Sequence, residues 1–354
     1  MFIRGNILYF QSIVLQCHQQ MEKERTISAA YYIIQGKPSI QTIQDGQIYR
    51  LNEYFGIYKQ LSKERYFQII EELVEKRYIE KLEQANLYTV TDRGKKLIDL
   101  HRITPNYLQG SLYKNIDSTF FQRILLFVQV FANRKMNQKR YIPIIDNSEI
   151  EDWVKQYYHR WKSKTDDVIE TLYEEFNRIL SSLDDKYAEI FVDQLSSNNR
   201  IGLTIEQIAA RLKMSVESVF ILHVNTIHYF LKQIQTEPKS FPLLYTISQD
   251  LFEQSALTKS AKMTKSLMEQ GFTLNEIANR RRLQINTIYD HVVEIAMNER
   301  KFSITPFVSE QMQQEILQAI NKSNSYKLKD IKNIVHEDIS YFQIRLVIAK
   351  LKEY

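Results

Sequence analysis

The sequence predicts a mainly α-helical protein with a winged helix, a helical middle domain and a C-terminal helix-turn-helix domain. Three observations carry this expectation. Isoleucine, leucine and aromatic residues recur at three- and four-residue spacing through Thr165 to Leu180, Asp184 to Leu195 and Ser309 to Ile320. A single stretch, Tyr78 to Thr91, has the pattern of a strand pair, with β-favouring ends around polar Glu83, Gln84 and Asn86. A segment with helix-turn-helix spacing also occurs twice, 69 residues apart.

Composition bounds the rest. A chain of 354 residues implies two or three domains. Only 8 Gly and 6 Pro serve this length, which disfavours glycine-rich nucleotide cradles and many-turned β-sandwiches. One cysteine, Cys17, excludes a disulfide framework and a multi-cysteine zinc site, and points to a cytoplasmic protein, which leaves nucleoid association open. The most apolar stretch, Phe120 to Ala132, is interrupted by Gln122, Arg123 and Gln129 and fits a buried helix, not a membrane span. Ile7 to Leu15 is apolar after Arg4, but no small-residue cleavage site precedes Cys17, His18 and Gln19, so no signal peptide is expected.

Helix-breaking segments at His101 to Ser118 and Thr236 to Phe241 divide the chain into 1–102, 103–245 and 246–354. The formal charge of +5 divides into +3, zero and +2 over these modules, so its excess lies at the two ends.

The first module opens with a helix from about Arg25 to Gln35, then Gly36, then helical segments around Ile40 to Tyr54. A helix from Lys63 to Lys76 follows, with Ser62 as its cap, then the hairpin and a basic helix from Asp92 to Arg102. Three helices and a hairpin give the winged-helix order, with the Ser62 helix as the recognition helix. Lys63 and Arg65 stand in its first turn, where cations and free backbone N–H groups meet phosphates. Their bland alternative is a solvated face shared with Glu64.

The repeat aligns Gly202 to Leu222 with Gly271 to His291. Identical pairs are Gly202/Gly271, Thr204/Thr273, Ile208/Ile277, Ala209/Ala278 and Arg211/Arg280. Each threonine can cap a short helix whose Ile-Ala pair faces inward, the alanine being small where a second helix crosses. Met214/Leu283 plugs the turn, and Val216/Ile285 with Val219/Ile288 line the second helix. Such a second helix can lie in a DNA groove, although the same unit also docks proteins. The C-terminal copy has the stronger contact chemistry: Arg280, Arg281 and Arg282 suit phosphates, while Asn286, Thr287 and Tyr289 can reach bases or sugar. The middle copy offers Arg211, Lys213, Glu217 and Ser218.

Ile33 to Leu97 resembles the RQC winged-helix domain of RecQ-type helicases. The resemblance rests on Ile34-Gln35-Gly36, Tyr54-Phe55-Gly56-Ile57, Leu61-Ser62-Lys63-Glu64 and Tyr88 to Gly94. Lys259 to Lys350 looks like the helix-turn-helix appendix of bacterial RecQ proteins, most closely at Leu328 to Ile331 and Asp338 to Leu346. Along nearly its full length the chain resembles the stand-alone YpbB-like bacterial family, with which Ser39-Ile40-Gln41-Thr42-Ile43-Gln44-Asp45 is associated. The resemblance implies partnership with a RecQ-like helicase. It also shows departures: the four-cysteine zinc module is missing, and the hairpin centre Glu83 to Asn86 has no aromatic wedge.

Enzyme chemistry finds no support. Gly36-Lys37 and Gly94-Lys95 lack the upstream glycine and following hydroxyl of a P-loop. His18, His101, His159, His223, His228, His291 and His336 show no ligand spacing, and no cofactor or metal is expected. Trp153, Tyr157, Tyr158 and Trp161 form an aromatic stripe suited to core, a docking face or base stacking. The sequence therefore predicts a non-enzymatic DNA-binding accessory of a RecQ-like helicase in DNA repair or replication, without membrane contact. A sequence-specific regulator and a protein-binding scaffold remain as alternatives.

Overall fold

The computed structural model describes residues 8–82, 87–138, 140–252 and 257–351. Helices α1 (Tyr9–Gln20), α2 (Ile27–Gln35), α3 (Ile40–Ile48) and α4 (Lys63–Glu75) precede strands β1 (Ile79–Lys81) and β2 (Tyr88–Val90), then α5 (Asp92–Leu100). The strands are antiparallel, pairing Ile79 with Val90 and Lys81 with Tyr88. The middle holds α6 (Gly110–Tyr113), α7 (Asp117–Lys135), α8 (Ser148–Trp161), α9 (Thr165–Leu180), α10 (Asp185–Val192), α11 (Ile205–Leu212), α12 (Val216–Thr236) and α13 (Pro242–Phe252). The C-terminal part holds α14 (Lys259–Glu269), α15 (Leu274–Arg281), α16 (Ile285–Asn298), α17 (Glu310–Ser323), α18 (Leu328–Lys332) and α19 (Tyr341–Ala349). The protein is mainly α-helical, with one small hairpin near its N-terminus among the described residues.

The buried side chains do not divide at 102. One hydrophobic cluster runs from Phe10 to Leu251, so the first module and the middle share a core. The reason is α12, which is buried along most of its 21 residues and is wrapped by both. Phe191 and Phe230 stack at 4.6 Å in its centre, and burying such rings contributes about 1.5–3 kcal/mol each. The division expected at 245/246 falls inside α13. Pro242 opens that helix instead of ending the previous module, and the buried Glu175 carboxylate accepts from Leu243 N at 2.9 Å and Leu244 N at 2.8 Å.

A second core joins α15 to α19, and it reaches back to Ile40 of α3. Residues 39–45 are therefore a strut between the two bodies. Ser39 caps α3, Ile40 enters the C-terminal core, and Gln44 Nε2 donates to Arg345 O at 2.9 Å. Buried Asp45 accepts three bonds from Arg25, at 3.0, 3.1 and 2.8 Å. Nearby, Glu24 accepts from Ser325 Oγ at 3.0 Å and Tyr326 N at 3.1 Å. A buried carboxylate with an arginine partner needs both, because removing either leaves an unpaired charge.

Candidate nucleic-acid interface

The C-terminal helix-turn-helix unit is built by α14, α15 and α16. Thr273 caps α15 by accepting from Glu276 N at 3.4 Å, while Glu276 Oε2 accepts from Thr273 N at 2.8 Å. This reciprocal pair satisfies two backbone donors and starts the helix where the sequence places it. Ile277, Ala278 and Ile288 are buried at the crossing. Arg282 ends α15 in the left-handed region at φ 53°, and Leu283 N returns to Ala278 O at 3.0 Å.

The three arginines diverge from this turn. Arg280 is exposed and lies 4.1 Å from the Phe272 ring centroid, and Arg282 is exposed. Neither has a carboxylate within ion-pair distance among the described residues. Arg281 turns inward, bonding to Ser260 O at 2.9 Å, Ser260 Oγ at 2.8 Å, the Thr264 hydroxyl and His291 Nδ1 at 3.3 Å. All its partners are neutral, so its charge is positioned but not cancelled. Burial and then this guanidinium push the His291 imidazole below its ordinary value, leaving a neutral acceptor.

On α16, Asn286 is exposed in the first turn and Thr287 is half-buried. Tyr289 is stacked on Phe342 of α19 at 4.1 Å, and Asp290 pairs with Arg345 at 2.6 Å. The Tyr289 ring therefore has a packing role within the domain. Of the candidate contact residues here, Arg280, Arg282 and Asn286 are open to solvent and Thr287 is half-buried.

The N-terminal candidates are arranged differently. Ser62 caps α4, accepting from Arg65 N at 3.1 Å, and Lys63 is exposed with its Nζ 5.8 Å from the Phe67 ring. Arg65, however, donates through Nε to Glu217 Oε1 at 2.6 Å, and this carboxylate raises the guanidinium above its ordinary value. Glu217 is buried in the first turn of α12. The pair joins α4 to the middle helix-turn-helix unit, so Arg65 is turned toward protein. The expected hairpin centre, Glu83 to Asn86, lies outside the described residues.

The middle unit presents no comparable surface. Its α12 places Phe220 on Tyr58 at 4.3 Å, receives Phe10 N at Ser218 Oγ at 3.4 Å, and buries Val219, Ile221 and Leu222. Arg211 is spent on Asp193 and, at 2.9 Å, on Glu189 of α10. The face that a groove-reading helix would need is covered by the N-terminal module.

Sequence reasoning missed Glu217 as the partner of Arg65, since no local pattern connects positions 152 residues apart. It also missed Lys259 and Ser260, which line an open groove with Met263, Leu267, Arg280 and Arg281. The cationic face of α14, with Lys259 and Lys262, was its only sequence signal. The aromatic stripe is a ladder, with Trp153 stacked on Tyr157 at 4.2 Å and Tyr157 at 5.3 Å from Trp161, all half-buried. Among the described residues, no group of three or more His, Cys, Asp or Glu side chains could hold a metal ion, and no helix is long and apolar enough to cross a membrane.

Comparison with known proteins places this arrangement. Residues 260–348, spanning α14 to α19, match the family described as a helix-turn-helix domain. Protein YpbB of Bacillus subtilis (strain 168) is 31% identical over 345 residues, covering 97% of each chain. The chain belongs to the YpbB family. No solved structure matches it. The matched domain of this YpbB-family chain contains Arg280 and Arg282, and its helix-turn-helix character suggests DNA as the partner.

Proposed function

We propose that the protein is a non-enzymatic DNA-binding accessory of a RecQ-like helicase, working in DNA repair or replication. The observation that carries the DNA reading is the exposed set Arg280, Arg282 and Asn286 at the turn and first turn of the second helix, with no carboxylate at ion-pair distance among the described residues. Cations at that turn suit phosphates, and a side chain in the first turn of α16 can reach base edges. The helix-helix-helix-hairpin order from α2 to β2 supports the winged-helix assignment, and Lys63 is an exposed cation there for backbone contact. The helicase partnership is supported by the resemblance of both ends to non-motor parts of RecQ proteins. The shared core from Phe10 to Leu251 and the strut at residues 39–45 then hold the two ends in a fixed relation.

Fluorescence anisotropy on single-stranded, duplex and forked oligonucleotides at several salt concentrations tests the DNA reading, and a pull-down with the co-expressed helicase tests the partnership. Binding that weakens steeply with salt and varies with DNA structure is expected. Absence of DNA binding at the lowest salt would leave the scaffold reading. A preference of about 10³ or more for one duplex sequence would make the protein a regulator instead.

A further inference from the structure

Helices α7 and α8, with residues 136–138 and 140–147 between them, line a socket of about 400 Å³ that plays no part in the DNA reading. Its apolar walls are Leu126 and Val130 of α7, Val154 and Tyr158 of α8, and Tyr141 and Pro143 of the joining segment. Leu126, Ile150 and Val154 form a small core behind it, separate from the main one. The size and lining suit one bulky side chain or a small ligand.

The socket is held open by specific bonds. The buried Gln129 side chain donates to Ile142 O at 3.0 Å and accepts from Ile144 N at 2.9 Å, pinning the segment to α7. Gln138 N reaches Asn133 O at 2.9 Å, and Asn147 caps α8 by accepting from Glu149 N and Ile150 N. With its backbone fixed this way, the segment offers apolar side chains to solvent: Met136 is 57% exposed and Ile142 is 88% exposed. A preformed apolar socket whose joining segment also exposes apolar side chains marks a contact surface.

Charge selects the occupant. Lys155 is matched by Glu151 at 3.3 Å and Asp152 at 3.4 Å, and Lys135 by Asp166 at 3.2 Å. Arg134, on the rim, and Arg140, beside Tyr141 in sequence, are exposed and have no carboxylate partner among the described residues. We propose that the socket docks an acidic segment of a partner protein through one bulky aliphatic anchor. The anchor fills the socket, Met136 and Ile142 cover it, and Arg134 and Arg140 pair with carboxylates on either side. Depth gives affinity through a desolvated anchor, and the arginines give orientation and partner choice.

The test uses the full chain and a fluorescein-labelled 12-residue peptide with a central leucine flanked by Asp and Glu. Two control peptides replace the leucine by serine or the acids by lysine. Saturable binding of the first peptide is expected, at least tenfold tighter than either control. Val130→Arg, which fills the socket, and the surface pair Arg134→Glu with Arg140→Glu should each weaken it at least tenfold. Duplex DNA binding and the melting temperature of the surface pair should stay unchanged, which keeps the test decisive if Val130→Arg misfolds. Equal binding of the serine peptide, indifference to the surface pair, or displacement of the peptide by a single-stranded oligonucleotide overturns the proposal. Any of these outcomes leaves the DNA reading of α15 and α16 intact, since that reading is measured on different residues.

Discussion

The two copies of the repeat share a packing plan and differ in what surrounds it. Thr204 and Thr273 both form reciprocal caps, with Gln207 and Glu276 respectively. Lys213 and Arg282 both end the first helix in the left-handed region, at φ 55° and 53°. Even the shared glycine serves two purposes. A Cβ at Gly202 would lie 2.1 Å from Gln194 O, whereas Gly271 has open space and is needed for its φ of 88°. Beyond the crossing the copies part. Arg211 is neutralised by Asp193 and Glu189, while Arg280 lies over Phe272. Phe220 stacks on Tyr58 from the N-terminal module, and its counterpart Tyr289 stacks on Phe342 within its own domain. The motif therefore encodes a helix crossing, and residues outside it decide whether the second helix is covered or open.

The sharpest way to break this contrast is charge reversal at the equivalent turns. Arg280→Glu with Arg282→Glu should weaken duplex binding by about 100-fold at low salt and reduce the salt slope by about 2. Lys213→Glu, at the turn of the covered copy, should leave affinity nearly unchanged. Anisotropy titrations at four salt concentrations read both, and equal losses would show that the middle copy also meets DNA.

This contrast also explains what could be read from the sequence. The helices with apolar spacing, the caps Ser62, Thr204 and Thr273, and the hairpin ends follow from patterns within a few residues, and the structure contains them. The inward turn of Arg281 and the pairing of Arg65 with Glu217 follow from folded neighbours 21 and 152 residues away. A run of three arginines looks uniform in sequence, but Arg280 and Arg281 stand about 100° apart around α15 and Arg282 occupies the left-handed turn that ends it. The shared core likewise escaped the module boundaries, because a break in helix is a local signal and burial is not.

Stability should separate the copies next. Phe220→Ala removes the stack that holds the N-terminal module on α12 and should cost about 2–3 kcal/mol by chemical denaturation. Tyr289→Ala should cost about 1–2 kcal/mol within the C-terminal core. Tyr289→Phe should preserve both stability and DNA affinity. A loss of affinity in a stable Tyr289→Phe protein would return the phenol to the DNA-contact surface.

Acid should also distinguish them. Burial holds His223, which bonds through Nδ1 to Gln194 at 3.0 Å, at a pKa of about 4 in the folded protein. An ordinary histidine in the unfolded chain titrates near 6.5, so between these values the unfolded state binds more protons. The stability is fully present above pH 6.5 and falls as pH drops toward 4, by about 2 kcal/mol at pH 5 for one such group. His223→Gln should flatten that acid limb. Hydrogen exchange at pH 5 should accelerate more in α12, where burial takes His223 down to about 4, than in α16, where the equally buried His291 is lowered less. Faster acceleration in α16 would reverse the ranking of the two environments.

The smallest effect tests what the copies have in common. Thr204→Ala and Thr273→Ala each remove a hydroxyl acceptor from an exposed cap and should cost about 1 kcal/mol. The two costs should agree, because the caps have the same reciprocal geometry and neither hydroxyl touches the surroundings that make the copies differ. In Thr273→Ala the Glu276 carboxylate still accepts from the backbone N of residue 273, so half of the cap survives. DNA affinity should fall only slightly, since α16 is positioned by Ile288 and the crossing at Ala278 rather than by the start of α15. If Thr273→Ala instead cost DNA binding as much as the arginine reversals, the start of α15 would itself belong to the interface, with its backbone N–H groups facing phosphate.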